Sequence, residues 1–119
     1  MKDLTNLKTY IIDSDSPHEI DDAISLERTK GNKKKIWIHI SNPCSLFSSE
    51  STIDNDARKK SCSLYLTDQY IPMLPKNIIA EANLAQNKVS NTISASIELD
   101  DKGSIINYEL VEAMIKPKY

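Results

Sequence analysis

A chain of 119 residues with 39% hydrophobic and 27% charged side chains has the balance of one globular domain with a modest core, which excludes a disordered tail or a membrane-embedded segment. Its 15 basic and 17 acidic residues give a formal charge of -2, so net charge supplies no attraction for nucleic acid; any RNA contact has to come from a local basic patch or a bound metal. No stretch approaches the roughly 20 apolar residues of a membrane span, and Met1-Lys2-Asp3 opens no signal peptide. Cys44 and Cys62 form no CxxC pair or zinc spacing, and read as reduced, buried, cytoplasmic thiols.

In chain order, Thr9-Tyr10-Ile11-Ile12 is β-prone and stops at an acidic stretch, Asp13 to Asp22. Ala23 to Glu27 alternates, a Lys30-Gly31-Asn32 turn follows, and Ile36 to Ile40 alternates again, predicting a hairpin. Ser48 to Ser61 opens with cap residues and predicts a short helix, as does Ile78 to Leu84. Pro43, Pro72, Pro75 and Pro117 punctuate the remainder. Ile93 to Leu99 and Ile105 to Met114 predict a second hairpin around Asp100-Asp101-Lys102-Gly103. The fold class is α+β, mainly antiparallel sheet with two short helices, without repeats or an internal linker. Apolar strand character continues almost to Tyr119, which suggests a truncated unit with a strand edge left exposed there.

Asp13, Asp15, Glu19, Asp21 and Asp22 place five carboxylates within ten residues that contain no lysine or arginine. Gathered in one bend such charges repel unless a cation neutralises them, and Mg²⁺ favours a few carboxylates completed by water and phosphate oxygens. An EF-hand calcium loop fails on spacing, because Pro17, His18 and Ile24 occupy positions that need a ligand, a glycine and a glutamate. A solvated acidic loop and a magnesium site for phosphoryl chemistry both fit, and charge counting does not rank them. Asp21 and Asp22 would point opposite ways in a regular strand, so sharing one metal cluster requires irregular backbone. His39, in an alternating apolar strand, reads as a satisfied sheet-face histidine rather than a metal ligand. Lys33-Lys34-Lys35 and Arg58-Lys59-Lys60 are the basic clusters; either has the charge to touch phosphates, but solvated turn and helix faces are the default reading, and the favoured one for the first.

The order of motifs, more than the charge, carries the functional reading. Ile12-Asp13, Glu19-Ile20-Asp21-Asp22-Ala23, Trp37 to Pro43, Asp56 to Leu66 and Ile71 to Pro75 together resemble the ribonuclease II (RNB) family, especially its cyanobacterial and plastid members. The similarity covers nearly the whole chain but only the N-terminal portion of the family's catalytic domain, so residues 1–119 are read as an incomplete RNB domain without cold-shock or S1 modules. It implies hydrolysis of single-stranded RNA from the 3′ end to nucleoside 5′-monophosphates with Mg²⁺. By the same match Asp13, Glu19 and Asp22 are metal ligands, Asp21 is the catalytic residue, and Tyr65 contacts the RNA 3′ end. A half-buried sheet residue is the competing reading of Tyr65. Glu19 departs from the more usual aspartate, and Asn42 stands where many members carry aspartate; Asp15 matches no invariant acidic position.

The resemblance places an arginine cluster and a second aromatic later in the catalytic domain, making the missing C-terminal half a partner of this chain. Little or no exonuclease activity is expected of these residues alone. A non-catalytic RNA- or metal-binding module and a structural protein remain the alternatives. The expected compartment is the cytoplasm, or a plastid in a eukaryote.

Overall fold

The computed structural model describes residues 1–14, 17–30 and 33–119, which divide into two compact units: Met1–Asn42 with Asn83–Tyr119, and Pro43–Ala82. The first unit is built on a six-stranded sheet of β1 (Lys2–Asp3), β2 (Thr9–Tyr10), β3 (Asp22–Arg28), β4 (Lys34–Ser41), β7 (Ser90–Leu99) and β8 (Ile105–Ile115), in the order β1-β8-β7-β4-β3-β2. All neighbours run antiparallel except β1, which lies parallel to β8. This is the mainly antiparallel sheet that alternation predicts.

The turn assigned to Lys30-Gly31-Asn32 includes residues outside those described. The β7–β8 turn follows its chemistry closely. The Asp100 carboxylate accepts the N–H groups of Lys102 and Ser104, while Gly103 adopts φ +83°, where a Cβ would be strained. Residues after β8 do not leave the free edge expected near Tyr119: Lys118 N–H donates to Thr9 and Ile11 N–H to Tyr119, so the chain's own β2 segment occupies it. Backbone pairing takes precedence there because both segments carry groups that need partners.

Alternation gives the sheet two distinct sides. Ala23, Trp37, Ala113 and Ile115 point to a core completed by Leu4 and Leu84, with Leu7, Ile11, Ile20 and Val111 packed around it. On that same side lie Thr9, Ser25, His39, Thr92 and Ser94, all buried. The opposite side carries Ile24, Ile38, Ile40, Ile93 and Leu110, each more than a third exposed.

The second unit contains α1 (Thr52–Lys60), a two-stranded hairpin of β5 (Leu64–Tyr65) and β6 (Tyr70–Ile71), and α2 (Lys76–Ala82), preceded by a 3₁₀ turn at Pro43–Leu46. Helix α1 begins four residues later than the cap-rich stretch suggests, because Ser51 is the residue whose side chain accepts Asp54 N–H. It ends at Ser61, left-handed at φ 67°. Helix α2 starts after Pro75, whose carbonyl accepts Ile79 N–H, two residues earlier than expected.

The cysteines correct the sequence reading. Cys44 and Cys62 are free but exposed. Cys44 sits in the 3₁₀ turn and Cys62 just past the α1 cap, and this unit buries only the side chains of Ala57 and Ile78, leaving little interior for a thiol.

Candidate functional site

The acidic segment bridges β2 and β3 and is fastened at both ends. At its entry Ile11 N–H donates to Tyr119 O at 2.9 Å, beside a stacked Tyr10–Tyr119 pair with ring centroids 5.0 Å apart. At its exit both backbone groups of Ile20 are used: the N–H donates to Asn83 Oδ1 at 3.2 Å, and the carbonyl accepts Leu84 N–H at 2.8 Å. The Asp21 carbonyl then accepts Ser41 N–H at 2.7 Å. Sequence reasoning missed Asn83 as an anchor of this segment. A partner 63 residues away leaves no local pattern to find.

The described carboxylates of this segment differ in exposure. Asp13 is exposed and accepts Ser14 N–H at 2.7 Å; Asp21 and Asp22 are exposed, and Glu19 is half-buried. No lysine or arginine among the described residues forms an ion pair with Asp13, Asp21 or Asp22. Asp22 opens β3 opposite Ile40, on the same side of the sheet as Ile24, whereas Asp21 lies just before the strand. The oxygen donors suit a hard divalent cation in kind. In arrangement they do not complete a site: among the described residues no three His, Cys, Asp or Glu side chains are grouped to hold a metal. Asp15 lies outside the described residues.

Tyr65 belongs to the second unit. It is 60% exposed and its ring lies 5.0 Å from that of Tyr70, tilted by 32°. The half-buried alternative for Tyr65 is thus corrected: it lies on a two-residue strand of a two-stranded hairpin and is exposed. In the same unit Arg58 pairs with Asp54 at 3.1 Å, Lys60 donates to the Pro72 carbonyl, and the exposed Lys59 lies 4.0 Å from the Asp56 carboxylate.

Beneath the sheet runs a chain of buried hydrogen bonds. Thr9 Oγ1 and Ser25 Oγ, Ser25 Oγ and His39 Nε2, His39 Nδ1 and Ser94 Oγ, and Ser94 Oγ and Thr92 Oγ1 are each 2.8 Å apart. Thr92 donates to the Ala113 carbonyl at 3.2 Å. That bond uses the Thr92 proton, so Ser94 donates to Thr92 and accepts Nδ1–H from His39. Nε2 then accepts from Ser25, and Ser25 from Thr9. The chain is satisfied by a neutral His39, and burial pushes the imidazole down to about 4. His39 is the satisfied sheet-face histidine that alternation predicts.

The family model described as RNB domain matches residues 1–119. The chloroplastic/mitochondrial ribonuclease II of Arabidopsis thaliana is 36% identical over 118 residues, covering 98% of this chain and 15% of that protein. An uncharacterised ribonuclease of Synechocystis is also 36% identical over 118 residues, covering 98% of this chain and 18% of its own length. Among solved structures, Mycoplasma genitalium RNase R in complex with double-stranded RNA superposes with a TM-score of 0.89 at 25% identity, over 98% of this chain and 21% of that one. The chain therefore spans about a fifth or less of the length of these proteins. No helix among the described residues is long and apolar enough to cross a membrane.

Proposed function

Because this chain belongs to the RNB family, whose relatives here are named ribonucleases, we propose that it supplies the acidic part of an exoribonuclease site hydrolysing single-stranded RNA from the 3′ end to nucleoside 5′-monophosphates. The observation that carries this reading is the match to the RNB domain over residues 1–119; the sequence resemblance assigns Asp13, Glu19, Asp21 and Asp22 to the family's acidic positions. By the family resemblance Asp13, Glu19 and Asp22 would contribute ligands to Mg²⁺. Water, phosphate oxygens or residues outside these 119 would complete the coordination, since the described carboxylates are not grouped into a site by themselves; the ion would supply charge neutralisation at phosphate. Asp21 is the residue on which the chemical step depends most. The exposure of Tyr65 supports a role as a stacking platform, since an aromatic face holds a base without reading its identity.

The protein's own contribution is geometric. Fastening Ile11, Ile20 and Asp21 to the backbone of Tyr119, Leu84 and Ser41 and to the side chain of Asn83 fixes where the acidic segment leaves and rejoins the sheet. On this segment Asp13, Asp21 and Asp22 are exposed to solvent. Cationic stabilisation of the phosphate is assigned to residues outside these 119, which makes the chain alone half of a site.

The test uses 5′-labelled single-stranded RNA and Mg²⁺. The 119-residue chain is expected to leave the RNA intact; a ladder of shortened products that disappears with Asp21→Asn would overturn the half-site reading. Placed in the Synechocystis relative in exchange for the matched residues, the chain is expected to support release of mononucleotides. Asp21→Asn in that setting should slow release by at least about 100-fold. An active exchange protein indifferent to Asp21→Asn would refute the assignment of that residue.

The exposed ring of Tyr65 favours one other reading for the chain by itself, a non-catalytic RNA- or metal-binding module. Retention of labelled RNA in Mg²⁺ without any mononucleotide, by both the chain and the exchange protein, would select it. The compartment is proposed as cytoplasm or plastid, the latter from the organellar relative.

A further inference from the structure

The alternation of β3 breaks where the acidic segment joins it. Along the strand Ala23 and Ser25 are buried on the inner side, while Asp22 and Ile24 are exposed on the outer side. Continued regularly, that period would send Ile20 outward with Asp22. Ile20 instead packs against the core cluster that contains Ala23 and Leu84. The backbone therefore departs from strand geometry between Ile20 and Asp22. This is the irregularity that the adjacent Asp21 and Asp22 need if they are to serve one phosphate or one cation.

Two consecutive residues hold the departure in place. Asn83 Oδ1 accepts Ile20 N–H at 3.2 Å, and Leu84 N–H donates to the Ile20 carbonyl at 2.8 Å, so both backbone groups of Ile20 are bracketed. Leu84 is itself part of the buried core, which ties the bracket to rigid structure. Asn83 is half-buried, and its own carbonyl accepts Lys88 Nζ at 3.2 Å. One residue further on, the Asp21 carbonyl takes Ser41 N–H and the regular β3–β4 ladder begins at Asp22. An aliphatic side chain at position 83 would leave Ile20 N–H without its acceptor, and the segment would regain a partner only by moving. The amide oxygen has a further merit: it accepts the N–H without adding another carboxylate to a stretch already crowded with them.

We propose that Asn83 is a positioning residue for the acidic segment: by holding Ile20 N–H it keeps the break in alternation that sets how Glu19 and Asp21 are presented relative to Asp22. Asn83 acts through Ile20, which carries Glu19 on one side and Asp21 on the other. Its consequence for turnover rests on the nuclease reading above, whereas the geometry does not. The experiment compares Asn83→Leu, of the same size but without an acceptor, with Asn83→Asp, which returns an acceptor to the same place. In the 119-residue chain, without RNA or metal, NMR reads amide exchange and backbone torsions. Asn83→Leu is expected to speed exchange at Ile20 by about 10-fold and to move the torsions of Ile20 and Asp21, with β7 amides unchanged. Asn83→Asp is expected to keep Ile20 protected. Equal exchange at Ile20 in Asn83→Leu and wild type overturns the proposal.

The exchange protein with the Synechocystis relative gives a second reading, which decides the matter should Asn83→Leu unfold the free chain. There Asn83→Leu should lower the maximal rate of mononucleotide release by about 10-fold or more, because misplacing reacting groups costs rate, while KM for RNA stays unchanged. Asn83→Asp should restore most of that rate. A merely structural role would lower the melting temperature without this split between rate and KM and without rescue by the acceptor. A maximal rate that is the same with leucine as with asparagine at position 83 overturns the proposal. Failure of the nuclease reading shows up separately: an unsubstituted exchange protein that releases no mononucleotide removes the activity, and exchange at Ile20 in the free chain still decides whether Asn83 holds the segment.

Discussion

Burial holds the His39 imidazole neutral down to about pH 4, against an ordinary value near 6.5, and this sets a pH dependence of stability. Between these values the unfolded chain binds a proton that the folded chain refuses, so stability is complete above about pH 6.5 and falls on acidification towards pH 4. The loss is at most about 1.4 kcal/mol per pH unit and roughly 3 kcal/mol in all. Urea midpoints at pH 7, 5.5 and 4.5 check it, the window lying above that of the carboxylates. His39→Phe should abolish the slope in this window and cost roughly 2–4 kcal/mol at pH 7, because Ser25 and Ser94 each lose a buried partner. An unchanged slope in His39→Phe would assign the acid response elsewhere. Alternation in β4 was enough to place His39 on a sheet face. Its partners were not legible, since Ser94 lies 55 residues away and joins it only through the β4–β7 register. The acidic motif was legible for the opposite reason, its spacing being local, while its anchors Asn83 and Tyr119 come from irregular segments distant in sequence.

Helix α1 depends on its ends more than on its burial, for Ala57 is its single buried residue. Ser51 Oγ accepts Asp54 N–H at 3.3 Å, and the Asp54 carboxylate accepts Glu50 N–H at 2.8 Å and pairs with Arg58. These bonds, the Glu50 backbone first and then Arg58, hold the Asp54 carboxyl below its ordinary value. Ser51→Ala should cost about 1 kcal/mol, read as faster amide exchange through the first turn of α1 with β7 unaffected. Equal protection in wild type and variant would mean that the cap contributes nothing. At this scale the sequence speaks clearly where an element is long enough to show its period: β3, β4, β7 and β8 all fall close to the alternating runs. Strands β1, β5 and β6 have two residues each, too few for a period, and exist because a neighbouring segment offers backbone partners.

The division at residues 42/43 and 82/83 carries no linker composition, so nothing in the chain's punctuation beyond Pro43 marks it. It separates two very different interiors. The unit holding the sheet buries Leu4, Ala23, Trp37, Leu84, Ala113 and Ile115 together with the His39 chain of hydrogen bonds. Residues 43–82 bury Ala57 and Ile78. Burial of apolar surface is the main stabilising contribution, roughly 25 cal/mol per Å², so the second unit has far less to lose on opening. Native-state exchange should therefore find α1 and the β5–β6 hairpin opening at a free energy several kcal/mol below that of β4 and β7. Limited proteolysis should cut first at the exposed hairpin tip, Thr67 to Gln69. If α1 and β4 amides instead exchange together at one free energy, the two units unfold as one. Tyr65 gives this difference a functional edge, because it stands on the less stable unit whereas Asp21 follows the anchored segment of the other. A ligand that stacks on Tyr65 would then raise protection in residues 43–82 alone, and one held by the acidic segment would raise it around Ile20 and Asp21, so the same exchange experiment separates binding at the two places.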